Sequence, residues 1–184
     1  MDLNNKFLIA MPHLKDKHFS NSVVYICQHD ADNTMGIIIN RRSKFLLNDI
    51  IKHLKIEKTK AITANQTVLQ GGPLKTEHGF VLHSPCGNWQ NSVPIKNKLA
   101  ITTSKDILTA IANDQCPNKF IIALGYSSWE KNQIEAEIMA NCWIVAPASE
   151  EIIFDLPINE RRRAAEANIG ISSDLQIPQY YGTA

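Results

Sequence analysis

Several stretches of the chain hold residue types that could do chemistry. One is LQGGPLKTEHGFVLHS, positions 69–84, which joins Gly71-Gly72-Pro73 to two histidines. A phosphate loop requires G-x-x-x-x-G-K-[ST] and a dinucleotide loop G-x-G-x-x-G, and the glycine pair satisfies neither. Pro73 also lacks the backbone N–H that a phosphate cradle uses, and it pushes Gly72 toward extended geometry. A tight turn between two strands is the better reading. His78 and His83 are five apart, so on one strand they face opposite sides and cannot share a metal. His83 and Cys86 have an H-x-x-C spacing, but a zinc site needs a second pair of ligands. Neither a metal nor a cofactor is expected.

Arginines supply the next candidates. Asn40-Arg41-Arg42 follows the apolar run MGIII directly, at a sheet end where Arg41 could clamp a carboxylate or phosphate bidentately. With Arg161-Arg162-Arg163 it is the only dense positive charge. Three successive helical positions point in three directions, which makes a poor groove-reading stripe, and a few phosphate contacts give weak, salt-sensitive binding. For nucleophilic catalysis, G-x-S-x-G is absent and Cys86 in SPCGNW has no charged helper nearby in sequence. Glu135 and Glu137 diverge on a helix, whereas Gln133 and Glu137 share a face. No catalytic residues are assigned.

These residues must be positioned by a scaffold that the composition allows. The chain has 184 residues, 44% hydrophobic and 20% charged, with a net charge of +1. That length suits one domain with a real core, and the balanced charge gives no global attraction to nucleic acid or anionic lipid. The four cysteines form no C-x-x-C pair and read as reduced thiols, with Cys27 and Cys142 inside apolar runs. No apolar stretch is long enough to span a membrane, and the opening MDLNNKFLIAMPHLKD has too short an apolar run for a secretory signal. A cytoplasmic protein is expected.

The runs SVVYICQH and MGIIIN, separated by DADNT, predict a β-hairpin, and FLLNDIIKHL predicts a short amphipathic helix. Further strands are predicted at 66–70, 79–84, 99–103 and 119–125, and at CWIVAP. Helices are predicted from a Ser104 N-cap, over about 130–141, and over about 159–168 with Asn159 as cap. Early hairpins followed by alternating helices and strands predict a mixed α+β sheet domain.

Read in order, FLIAMPHLKDKHF, SVVYICQH, MGIIINR, LQGGPL, HGFVLHS, LAITTSKDIL, LGYSSWEKNQIEAEI with Asn141 and Trp143, and FDLP resemble the YqgE/AlgH family of small bacterial proteins. Members of that family are often labelled transcriptional regulators. The resemblance spans nearly the whole chain. It implies a single α+β domain over 1–184, with a mixed, bifurcated sheet curled into a pseudo-barrel, flanking helices, and an extended C-terminal arm at about 171–184. The chain departs from the family pattern at Arg42, usually proline, at Gln28, often Glu, and at the YGTA tail, usually GHA. The resemblance carries over no catalytic residues.

The resulting expectation is a non-enzymatic binding or regulatory protein with a protein or small-molecule partner. Asn40, Arg41, Gly71, Gly72, Pro73, His83, Ser84, Trp129, Gln133 and Glu137 are expected to line one cleft. Direct DNA binding through the arginines is one alternative. A hydrolase or thiol enzyme using Cys86 or Ser84 with His83 is another.

Overall fold

Strands that are apolar at consecutive positions need cover on both faces. The computed structural model, which describes residues 1–57, 66–96 and 98–170, supplies it. Its strands are β1 (Lys6–Ala10), β2 (Val23–His29), β3 (Asn33–Ile38), β4 (Arg42–Leu46), β5 (Thr67–Gln70), β6 (Leu74–Ser84), β7 (Ser92–Pro94), β8 (Ala100–Thr102), β9 (Lys119–Glu130) and β10 (Trp143–Pro147). The helices are α1 (Leu47–His53), α2 (Lys105–Ala112), α3 (Gln133–Met139) and α4 (Arg161–Ala167), with a π-helical turn at Glu151–Asp155.

The strands form one ten-stranded sheet whose main path runs β10-β1-β2-β3-β9-β6-β8-β7. β9 is the spine. One edge pairs antiparallel with β6. The other edge pairs antiparallel with β3 near its end and parallel with β5 at Ala123 and Leu124, and β5 carries β4 outward. The sheet is therefore mixed and bifurcated, and it curls into a half-barrel flanked by the helices.

Alternation along each strand sorts the core into an inner and an outer side. Phe7, Ile9, Val23, Tyr25, Ile37, Leu82 and Ile121 face the interior of the curl, where the π turn and α4 pack with them. Leu8, Val24, Ile26 and Ile38 face outward beneath α3, Trp129 and Trp143. Val81 and Ile122 face outward beneath α1 and α2. Lys96 Nζ meets Asp2 Oδ2 at 2.5 Å, joining the chain after β7 to the segment before β1.

Several boundaries differ from those the sequence predicts. β1, β4 and β7 were not anticipated. The helix expected from FLLNDIIKHL begins only at Leu47, because Phe45 N–H turns to Ser43 Oγ and Leu46 N–H to Asp49 Oδ2. β9 does not stop at Gly125. That residue bends the strand with φ +73, and Ser127–Glu130 continue it against β3. α3 consequently starts at Gln133. Ser104 occupies the N-cap of α2, yet its hydroxyl serves Gln90 O and Asp106 rather than a helix N–H. Glu160, not Asn159, precedes α4. The expected arm at 171–184 lies outside the described residues.

Candidate functional site

The expected cleft does not assemble. Its residues fall into groups, each occupied with structural bonds. At the end of β3, Asn40 Oδ1 accepts Val23 N–H at 2.7 Å and its Nδ2 donates to Asn21 O at 2.9 Å. Arg41 donates to His18 O at 2.7 Å and Ser20 O at 2.9 Å. Together they fasten the turn before β2. Gly71, Gly72 and Pro73 lie beside them, where the sheet forks. Gly71 N–H donates to Leu124 O and its carbonyl accepts Ile38 N–H, both at 2.8 Å. A Cβ on Gly72 would strike the Tyr126 backbone, so close backbone approach explains the glycine pair.

His83 and Ser84 sit at the far end of β6, opposite Phe120 and Lys119 of β9. Trp129 lies at the other end of that strand, paired with Thr34. The nine positions from Phe120 to Trp129 amount to about 30 Å of strand path before the Gly125 bend is counted. One cleft cannot span that path.

His83 is fully buried. Its Nδ1 lies 3.1 Å from Pro85 O, which only accepts, so that nitrogen carries the proton. Nε2 lies 2.8 Å from Thr102 Oγ1, and Ser92 Oγ lies 2.9 Å beyond. Burial lowers the His83 pKa below its ordinary value of 6.5, against a raising contribution from the Pro85 bond. The ring is neutral, bonded at both nitrogens and packed edge-on to Trp89. His78 is exposed beside Glu77, so the two histidines share no site. Cys86 is exposed with Sγ directed at the carbonyls of Lys98 and Leu99, not at a base.

Trp129, Gln133 and Glu137 do converge, around a carboxylate that is fully engaged. Glu137 Oε2 accepts both indole N–H groups, Trp129 at 3.1 Å and Trp143 at 2.7 Å, and Oε1 accepts Gln133 Nε2 at 2.9 Å. Phe19 stacks on Trp129. In the arginine triplet, Arg161 is 4% exposed and donates to Ile39 O at 2.7 Å and Leu156 O at 3.1 Å. Burial, with the charge of Arg42 nearby, lowers its pKa to about 10. Arg162 bonds Ala10 O and Glu166, which leaves Arg163 as the exposed member.

Uncommitted surface lies elsewhere, between two bulges. From Arg42 to Leu46, four steps of β4 oppose only the two from Leu69 to Thr67 on β5. From Leu74 to Gly79, five steps of β6 oppose the two from Tyr126 to Leu124 on β9. The extra residues rise from the sheet as walls, and β5 and β9 form the floor between them. Three adjoining cavities of about 490, 430 and 220 Å³ follow this groove and all share Leu124. Phe45 and Thr76 line the first two, and Ile50, His53 and Glu77 line the last two. Phe45, which lines the first two cavities, is 39% exposed, which places a large apolar side chain at the rim.

The groove's charge is uneven. Among the described residues its β4 end holds Arg42 and Lys44 and no acid. Lys44 Nζ sits 5.2 Å over the Phe45 ring, and Arg42 donates to Thr67 Oγ1 at 3.2 Å. Farther along, Asp49 is bonded to Leu46 N–H and Glu77 lies 3.2 Å from His78. A second basin, of about 600 Å³, is lined by Asp2, Asn4, His29, Asp30 and Glu135 among others. Its polar groups satisfy one another: Asp2 meets Lys96 and Asn4, and His29 meets Thr34 and Met1 O.

The groove residues Lys44, Phe45, Thr76 and Leu124 were missed from sequence. The available signal was Phe45, an apolar residue outside the stripe formed by Leu46, Leu47, Ile50, Ile51 and Leu54.

Comparison with known proteins gives a consistent result. A family model described as AlgH-like matches residues 7–174. A UPF0301 protein of Thioalkalivibrio sulfidiphilus is 43% identical over 174 residues, covering 95% of this chain and 93% of its own. Another from Pectobacterium carotovorum is 45% identical over 175 residues, covering 93% of this chain and 94% of its own. The solution structure of the AlgH protein from Pseudomonas aeruginosa superimposes with a TM-score of 0.81 at 40% identity, covering 99% of this chain and 96% of that one. A Corynebacterium diphtheriae protein, 20% identical with a TM-score of 0.61 and coverage of 82% and 78%, shares the fold.

Proposed function

The chain belongs to the AlgH-like family, and from that premise we propose that it is a non-enzymatic, cytoplasmic binding or regulatory protein acting through the groove between the β4 and β6 bulges. The observation that carries the reading is the contrast between surfaces. The residues suited to catalysis or anion clamping, namely His83, Glu137, Arg41 and Arg161, have their polar atoms engaged by the fold. The groove combines an apolar floor and rim with cations that have no carboxylate partner among the described residues. Among the described residues no helix is long and apolar enough to cross a membrane. Direct DNA binding keeps only Arg42 and Arg163 of its intended carriers, since Arg41, Arg161 and Arg162 hold backbone carbonyls.

Site-specific photo-crosslinking in cells tests the reading. Phe45 and Met139, which is 84% exposed on α3, are replaced in turn by p-benzoylphenylalanine. A discrete adduct from position 45 and none from 139 is expected. Equal labelling from both positions, or labelling from 139 alone, overturns the assignment of the groove.

A further inference from the structure

Resting on that reading of the groove, we infer that its occupant is a linear segment of a partner protein in which carboxylates alternate with large apolar side chains. Shape, charge and self-compatibility together select this chemistry.

The walls are β4 and β6, separated by β5 and β9, so they stand three strand spacings apart, about 14 Å. That width admits one peptide chain with its side chains. The apolar surface is concave over Leu124 and Ile50, so a flat lipid surface would reach only the rim. An extended segment sends alternate side chains to opposite faces, one set down to Leu124 and the other up to the rim.

At the β4 end charge fixes what the upper set carries, while beyond it Asp49 and Glu77 line the next cavity and leave the apolar side chains as the contact there. Arg42 and Lys44 stand at the β4 end, where no acid among the described residues lines the cavity. An incoming carboxylate meets uncompensated positive charge there, which steers its association and favours its binding at low salt. Lys44 and Arg42 also argue against a second copy as occupant. Among the described residues β4 pairs only with β5, and antiparallel pairing of two β4 strands would bring Arg42 and Lys44 close to the cations of the other copy. Like charges across a strand pair are destabilising.

Fluorescence anisotropy of the full chain with a fluorescein-labelled peptide alternating aspartate and leucine tests the inference. Two control peptides carry asparagine for aspartate or alanine for leucine. Binding at low salt is expected, weakened about tenfold or more by the asparagine peptide, by the Arg42→Glu/Lys44→Glu double substitution, and by raising salt from about 50 to 500 mM. Thr76→Trp, an exposed wall position, should block binding by filling the groove, and the alanine peptide should bind weakly. Thermal melts of both variants check that they fold. If the asparagine peptide binds equally well and Thr76→Trp still blocks it, the acidic chemistry is overturned and the groove assignment stands. No binding at about 1 mM protein, preferential capture by anionic phospholipid vesicles, or a dimer that excludes the peptide each overturns the inference. The groove reading itself fails separately, on the crosslinking from position 45.

Discussion

Replacing Glu137 by alanine separates a structural carboxylate from a ligand-binding one. In the structure its Oε2 accepts from Trp129 and Trp143 at 3.1 and 2.7 Å, and its Oε1 from Gln133 at 2.9 Å. Trp129 and Trp143 are 2% and 3% exposed, so truncation leaves two buried indole N–H groups without a partner. A hydrogen bond to a charged group is worth about 1.5–3 kcal/mol, and discounting for the half-exposed carboxylate gives a loss of about 2–4 kcal/mol. With a urea m-value of about 2 kcal/mol/M for a chain of this size, the midpoint should fall by about 1–2 M. Glu137→Gln should cost about 1 kcal/mol: one amide oxygen can still accept from both indoles, but its NH₂ then confronts that of Gln133. Gln133 can turn over only by giving up its bond to Glu130 N–H at 3.0 Å. Urea unfolding followed by tryptophan fluorescence and far-UV circular dichroism measures both variants. A Glu137→Ala protein within about 0.5 kcal/mol of wild type would refute the structural role, because a carboxylate kept for a ligand can be removed without loss of stability.

Two other perturbations follow from the same geometry. Gly125→Ala places a Cβ 2.6 Å from Gly72 O and 2.8 Å from Leu74 O at φ +73. It should cost about 2–4 kcal/mol in urea unfolding, and a loss under about 0.5 would contradict the bend as drawn. His83, with its pKa held below 6.5 chiefly by burial, binds a proton more readily in the unfolded chain. Its contribution is complete above pH 6.5 and is lost as pH falls toward the folded-state value. The stability of wild type should therefore decline more steeply between pH 7 and 5 than that of His83→Gln, and parallel curves would contradict the buried neutral ring.

The fold was legible wherever one residue pattern had one structural solution. SVVYICQH and MGIIIN, read as a β-hairpin, form the antiparallel pair β2 and β3, and the LAITTSKDIL segment holds both β8 and the start of α2. What stayed hidden depends on contacts distant in sequence. Gly125 looked like a strand end, and only the pairing of Ser127–Glu130 with β3 turns it into a bend. Arg161 looked like surface charge, and only the Ile39 carbonyl makes it a buried donor. His83, Trp129 and Arg41 were singled out as residues of one cleft, and the structure bonds each of them within the fold; polarity in a sequence does not reveal whether its partner is a ligand or the chain itself. The groove was illegible for a related reason: its walls are register shifts, and a bulge exists only relative to the strand opposite.

The central claim is that partners enter between the β4 and β6 bulges. It is tested most directly by plugging that space with Thr76→Trp and measuring the photo-adduct formed from p-benzoylphenylalanine at position 45, with melting temperature as the control for folding. Thr76 lines the cavities of about 490 and 430 Å³ together with Phe45 and Leu124. The adduct is expected to disappear while the melting temperature stays within about 2 °C of that without the plug. An adduct of unchanged yield and mass in the plugged protein would contradict it.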